Sequence, residues 1–187
     1  MKDSFKYLIV IILILILAAT FSLWKKSKSK EVLPESGLPN IMKLSSPAFE
    51  NGGQIPEKYS CEGEDINPPL EIKDVPDLTQ SLVLIVEDPD APSGNFLHWL
   101  VFNIPAQTSL IEENSLPPEA IEGKNDFGKE NYGGPCPSLG THRYFFKLHA
   151  LDTQLVFSET PGKKEVEGLM KGHILDMAQL MAKYKRQ

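Results

Sequence analysis

Five short runs of β-branched and aromatic residues, at positions 41–44, 70–72, 81–87, 96–104 and 143–151, are each closed off by Pro, Gly, Asn or Asp. Runs of three to nine residues bounded by such breakers suit strands and are too short for buried helices. Fifteen prolines and thirteen glycines spread along 187 residues also exclude a helical bundle. The chain is therefore expected to be mainly β, with long shaped connections. In the run that opens with Arg143 and Tyr144, alternation places Tyr144, Phe146, Leu148 and Ala150 on one face. Phe145, Lys147 and His149 fall on the other, so His149 points away from Tyr144.

Residues 7–24 form an uncharged apolar segment with lysines on both sides. At about 1.5 Å per residue it reaches roughly 27 Å, enough to cross the hydrocarbon core of a bilayer. The small residues Ala18, Ala19 and Ser22 fit a cleavage signal poorly, and no cysteine follows the run, so an uncleaved single-pass anchor is expected. Residues 1–30 thus read as a transmembrane anchor with basic flanks, 31–40 as a Pro- and Gly-containing linker, and 41–187 as one folded domain. The short basic start before the apolar run places that domain on the periplasmic or extracellular side. Lys25, Lys26, Lys28 and Lys30 pull the other way by the positive-inside tendency.

Beyond residue 30 the chain carries 13 basic against 24 acidic residues, about −11, which excludes nucleic acid as a partner. Residues 163–183 place Val166, Leu169, Met170, His173, Ile174, Met177, Leu180 and Met181 at three- and four-residue spacing. A terminal amphipathic helix covering the sheet is expected there, with His173 as a packed or edge histidine and the methionines in the core.

The chemistry gathers in two places. Asp88-Pro89-Asp90-Ala91-Pro92 is a rigid turn after a strand, since its prolines fix φ and remove donors. Its carboxylates either cap the turn or serve a site. His98, inside an apolar strand, reads alone as a core histidine, but His142 opens another strand directly after the Gly133-Gly134-Pro135 loop. Strand mouths beside turns are where sites collect.

The set Tyr59-Ser60-Cys61-Glu62-Gly63, Asn67-Pro68-Pro69-Leu70, Asp88-Pro89-Asp90-Ala91-Pro92, His98-Trp99, Asn125-Asp126-Phe127-Gly128, Tyr132-Gly133-Gly134-Pro135-Cys136-Pro137 and His142-Arg143-Tyr144 resembles, in content and order, the phosphatidylethanolamine-binding protein family. The likeness is to its bacterial, Raf kinase inhibitor-like branch and spans roughly residues 41–183. The resemblance implies two antiparallel sheets in a Greek-key arrangement, flanked by short helices, with a small anion pocket at one end. Asp88 and His98 would form one wall, His142 and Tyr144 the other, with Gly134 and Pro135 shaping the rim and Asp90 structural. Gly134 and neighbouring N–H groups would donate to the anion. Asp88 would orient an imidazole and favour its charged form, so that affinity rises toward acid pH. Ser138-Leu139 departs from the branch's usual further proline, leaving the rim less stiff. Cys61 and Cys136, the only cysteines, lie in these motifs and permit either one disulfide or a buried thiol pair. No CxxC spacing occurs, which excludes a zinc ribbon.

The expected function is that of a non-enzymatic, membrane-tethered domain, without cofactor, that binds a small anion or phospholipid head group such as phosphoethanolamine. The resemblance adds inhibition of a kinase- or protease-class partner as a family property. The alternative is a phosphate-ester hydrolase using Asp88, His98 and His142 as metal ligands or acid–base groups, although no HExxH or GxSxG motif accompanies them.

Overall fold

A computed structural model describes residues 41–187. The anchor and linker expected over residues 1–40 lie outside the described residues. Among the described residues no helix is long and apolar enough to cross a membrane.

The elements are β1 (Lys43–Ser45), a 3-10 turn (Glu57–Tyr59), β2 (Leu70–Lys73), β3 (Ser81–Asp88), β4 (Phe96–Pro105), β5 (Leu110–Ile111), β6 (Ile121–Glu122), β7 (Thr141–Leu151), α1 (Lys163–Met170) and β8 (Ile174–Lys185). All five runs expected as strands are strands. They form a three-stranded sheet in the order β1-β2-β5 and a five-stranded sheet in the order β6-β4-β3-β7-β8, antiparallel throughout. β7 pairs with β3 rather than β4, a return of the kind made in a Greek key.

One core lies between the sheets, where Leu44, Ile72 and Ile111 meet Leu84, Val86, Trp99, Phe146, Leu148 and Leu180. A second core covers the opposite face of the larger sheet, where Val83, Ile85, Leu100 and Phe102 pack against Val166 and Met170 of α1. β3 is consequently buried along its whole length. That is why its sequence, SLVLIVE, is continuously apolar instead of alternating. Its one charged outward residue, Glu87, is bonded by Lys147 and Lys163 and accepts from Asn95 Nδ2 at 2.6 Å. Burial alone would raise the Glu87 pKa, but the two lysines overcome it and hold the group below its ordinary value.

The expected helix over 163–183 is a helix only through Met170. Gly172 at φ +84° turns the chain, and from Ile174 it runs as the twelve-residue β8. β8 pairs with β7 from Thr141↔Lys185 to Leu151↔Ile174. Burial follows a period of two through Ala178, Leu180, Ala182 and Tyr184. Apolar residues on both faces of a strand satisfy a helical spacing as well, and the unpaired backbone of the eleven-residue β7 supplies the hydrogen bonds that decide between them. His173 ends on the surface, its Nδ1 at 2.7 Å from Asp152 Oδ1.

Cys61 and Cys136 form a disulfide across 75 residues of sequence. Closing a loop of that length restricts the unfolded chain by about 4 kcal/mol.

The strand geometry of β8 is checked by stability measurements. Leu180→Ala should cost about 3 kcal/mol, whereas Gln179→Ala, whose side chain is exposed, should shift stability by less than about 0.5 kcal/mol. Equal losses at both positions would contradict the period-two register.

Candidate anion-binding site

The site lies where β3, β4 and β7 run out at the same end of the large sheet. Asp88 is the last residue of β3, held by the turn that follows: its Oδ1 accepts the Asp90 N–H at 2.8 Å. Asp90 itself faces outward and takes Arg143 through backbone and guanidinium, at 2.9 Å to N, 2.9 Å to Nε and 2.7 Å to Nη2. The Arg143 contacts pull the Asp90 carboxyl down to about 2.

His98 is aimed by a β-bulge. Pairing runs Val86↔Trp99 and then Glu87↔Leu97, passing over His98 as the extra residue of β4. Such a bulge redirects a side chain that regular alternation would place elsewhere. The carbonyl of Gly133 accepts from His98 Nδ1 at 2.7 Å. Asn125 fixes the surrounding loop, donating to the carbonyls of His98 and Asn131 and accepting the N–H groups of Phe127 and Lys129. Phe127 is thereby set edge-on to His98 at 5.4 Å and to Phe96 at 4.8 Å.

His142 and Tyr144, two residues apart on β7, share the face that looks back at β3. His142 Nδ1 donates to Asp88 Oδ2 at 2.7 Å, joining the two walls. Tyr144 meets His98 edge-on at 5.2 Å. Its hydroxyl is buried beside the Asp88 carboxylate, but makes no hydrogen bond of ordinary length and angle with any described residue.

These groups enclose a cavity of about 190 Å3, into which Asp88, His98, His142 and Tyr144 all face. Ala91, Pro92, Ser93, Phe96, Phe127, Cys136, Pro137 and Ser138 complete its lining. The aromatic wall of Phe96 and Phe127 carried no assigned role in the sequence. Its signal was the Asn125-Asp126-Phe127-Gly128 turn, whose purpose appears only when Asn125 is seen to organise the loop.

Gly134 and Pro135 stand differently from expectation. They do not line the cavity. The Gly134 N–H is already committed to Asp65 Oδ1 at 2.6 Å, and a Cβ there would fall 2.5 Å from the Tyr59 carbonyl oxygen. Glycine is required at this position for close packing on the 59–61 turn, and the disulfide-bonded Cys136 and Pro137 shape the rim instead. Among the described residues no three His, Cys, Asp or Glu side chains are grouped to hold a metal ion.

Burial pushes the His98 pKa below the ordinary imidazole value, against the opposing pull of the Gly133 carbonyl and the Asp88 carboxylate. Burial, and then the nearby Asp88 charge, raises that of Tyr144, which stays a neutral hydroxyl.

A model of the phosphatidylethanolamine-binding proteins matches residues 45–185. The chain belongs to the phosphatidylethanolamine-binding protein family. It is 46% identical over 150 residues to a UPF0098 protein of Methanothermobacter thermautotrophicus, covering 78% of this chain and 99% of that one. It is 47% identical over 153 residues to a UPF0098 protein of Aquifex aeolicus, covering 78% and 90%. Among solved structures it resembles CT736 of Chlamydia trachomatis, described as a putative phosphatidylethanolamine-binding protein homolog. That match has a TM-score of 0.76, 42% identity, and coverage of 79% of this chain and 99% of the other. YbcL of Escherichia coli, described as a member of the mammalian family, matches with a TM-score of 0.72, 29% identity and coverage of 78% and 99%.

Two measurements follow from the buried groups. Because the folded His98 pKa lies below the unfolded value near 6.5, its contribution to stability is complete above that pH and is lost as pH falls through the folded value. Melting temperature should therefore drop between pH 7.5 and pH 5.5, and less so in His98→Gln. Tyr144→Phe should leave the unliganded protein as stable or firmer by about 1 kcal/mol, since it removes an unpartnered buried hydroxyl. A clear loss in calorimetry would mean that this hydroxyl is satisfied within the protein.

Proposed function

We propose that this protein is a binding domain for small oxyanions, above all phosphate groups, including those of phospholipid heads and phosphoethanolamine. One observation carries this reading: a buried, unpartnered Tyr144 hydroxyl shares a small cavity with two imidazoles whose Nδ1 atoms are fixed by the protein. An unmatched buried hydroxyl costs about 1–3 kcal/mol and is retained where a ligand completes it. The apolar segment at residues 7–24 would hold the domain at a membrane surface, on its outer side, within reach of lipid head groups.

The Asp88–His142 pair also favours a second reading. An imidazole oriented through Nδ1 by a carboxylate can act as a general base for water attack on a phosphate ester. Among the described residues no nucleophilic side chain is hydrogen-bonded to His142, so water would have to serve. Release of inorganic phosphate from phosphoethanolamine by the purified chain, abolished in Asp88→Asn, would establish that reading.

Calorimetric titration of the full chain, in a non-ionic detergent, with phosphoethanolamine checks the binding reading. Saturable binding is expected, weakened at least about tenfold by Tyr144→Phe and more by His142→Ala. A folded protein that takes up neither phosphoethanolamine nor inorganic phosphate would refute it.

A further inference from the structure

Apolar surface that the fold leaves uncovered collects beside the second core. Val156 is 83% exposed, and Ile121, on the edge strand β6, is 48% exposed. Both line an open groove of about 550 Å3, together with Phe102, Leu155 and Phe157. Phe102 and Leu155 are buried and form its floor, with Phe157 set edge-on to Phe102 at 5.2 Å. The groove takes its form from β4. Pairing runs Leu82↔Ile104 and then Leu84↔Val101, so Phe102 and Asn103 stand opposite Val83 alone. At this bulge Asn103 has φ +54°, a conformation that Asn tolerates better than most residues. Its amide brackets Leu155: Nδ2 donates to the Leu155 carbonyl and Oδ1 accepts the Leu155 N–H, each at 2.8 Å. Past that clamp the chain runs through residues 156–160, outside any helix or strand, until the Pro161 carbonyl accepts the Lys124 N–H at 2.8 Å. Among the described residues the backbone N–H and C=O groups of 156–160 make no hydrogen bond. Consecutive unpaired main-chain groups beside exposed apolar side chains are what an added peptide segment satisfies.

Charge says what kind of segment fits. Glu122, Glu130 and Glu159 line the groove, and among the described residues no Lys or Arg does. We propose that this groove docks a short extended segment of a partner protein, one that places an aliphatic or aromatic side chain between lysines or arginines. The apolar side chain settles on Phe102 and Phe157 between Ile121 and Val156, its basic neighbours meet the three carboxylates, and its backbone pairs with the open groups of 156–160. The acidic balance of the folded domain adds long-range attraction for a basic segment. The same carboxylates repel an anionic lipid surface. No residue lines both this groove and the anion cavity, so the proposal stands apart from the oxyanion reading.

The test is selection from a random peptide library displayed on phage, with the full chain immobilised in non-ionic detergent, followed by fluorescence anisotropy with the most enriched peptide. Enriched sequences should carry Lys or Arg on both sides of an aliphatic or aromatic residue. Val156→Asp should weaken the labelled peptide about tenfold, and the paired reversals Glu130→Lys and Glu159→Lys by at least as much. All three side chains are exposed, so an unchanged melting temperature verifies that the variants fold. Added salt should weaken binding, and saturating phosphoethanolamine should leave it unchanged. Hydrogen exchange of the unaltered protein makes the test independent of any variant: the amides of residues 156–160 should exchange more slowly once the peptide is bound. No enrichment, enrichment of acidic sequences, binding that survives both sets of substitutions, competition by phosphoethanolamine, or unchanged exchange over 156–160 each overturns the proposal. A monomer–dimer equilibrium in ultracentrifugation that Val156→Asp abolishes also overturns it, and makes the groove a contact between two copies of this chain.

Discussion

The complete burial of β3 is the constraint on which the rest of the molecule depends. A strand covered on both faces must have a strand on each side and a packed layer above and below. β4 and β7 supply the sides, the small sheet supplies one layer and α1 the other. Each fully buried leucine or valine of β3 contributes about 1.5–3 kcal/mol, so displacing the strand by one residue would forfeit much of both cores. Where β3 ends, at Asp88, the neighbours must therefore end too, and three strand termini come together around one opening.

That opening is polar because the strand ends carry groups the core cannot hold. Asp88 is 3% exposed, and it remains there because both its oxygens are satisfied, one by the turn and one by His142. The His98 ring is positioned by a bulge on one side and by the Gly133 carbonyl on the other. The loop that carries this carbonyl is fixed through Asn125, Asp65 and the Cys61–Cys136 disulfide. The site is thus preorganised by main-chain contacts and one covalent link, and its side chains need not be ordered when a ligand arrives.

Much of this was legible in the residues. Breakers around short β-branched runs located five of the eight strands, and alternation along β7 put Tyr144, Phe146, Leu148 and Ala150 on one buried face. Two kinds of feature were hidden. β8 was read as helix because Met177, Leu180 and Met181 satisfy a helical period, and only the long open edge of β7 selects the strand. The bulge at His98 leaves no mark in sequence, since it depends on pairing with Glu87 and Val86 across the sheet. Gly134 illustrates the converse: its need to be glycine was visible, but the reason is a close approach to Tyr59 and Ser60 rather than to a ligand.

Charge sharpens the meaning of the pocket. The folded domain is strongly acidic and, among the described residues, no Lys or Arg lines its cavity, so long-range attraction from that lining does not gather anions there. Whatever affinity the site has must come from short-range hydrogen bonds inside an aromatic wall that excludes water and strengthens them. Under those conditions donor–acceptor matching outweighs net charge.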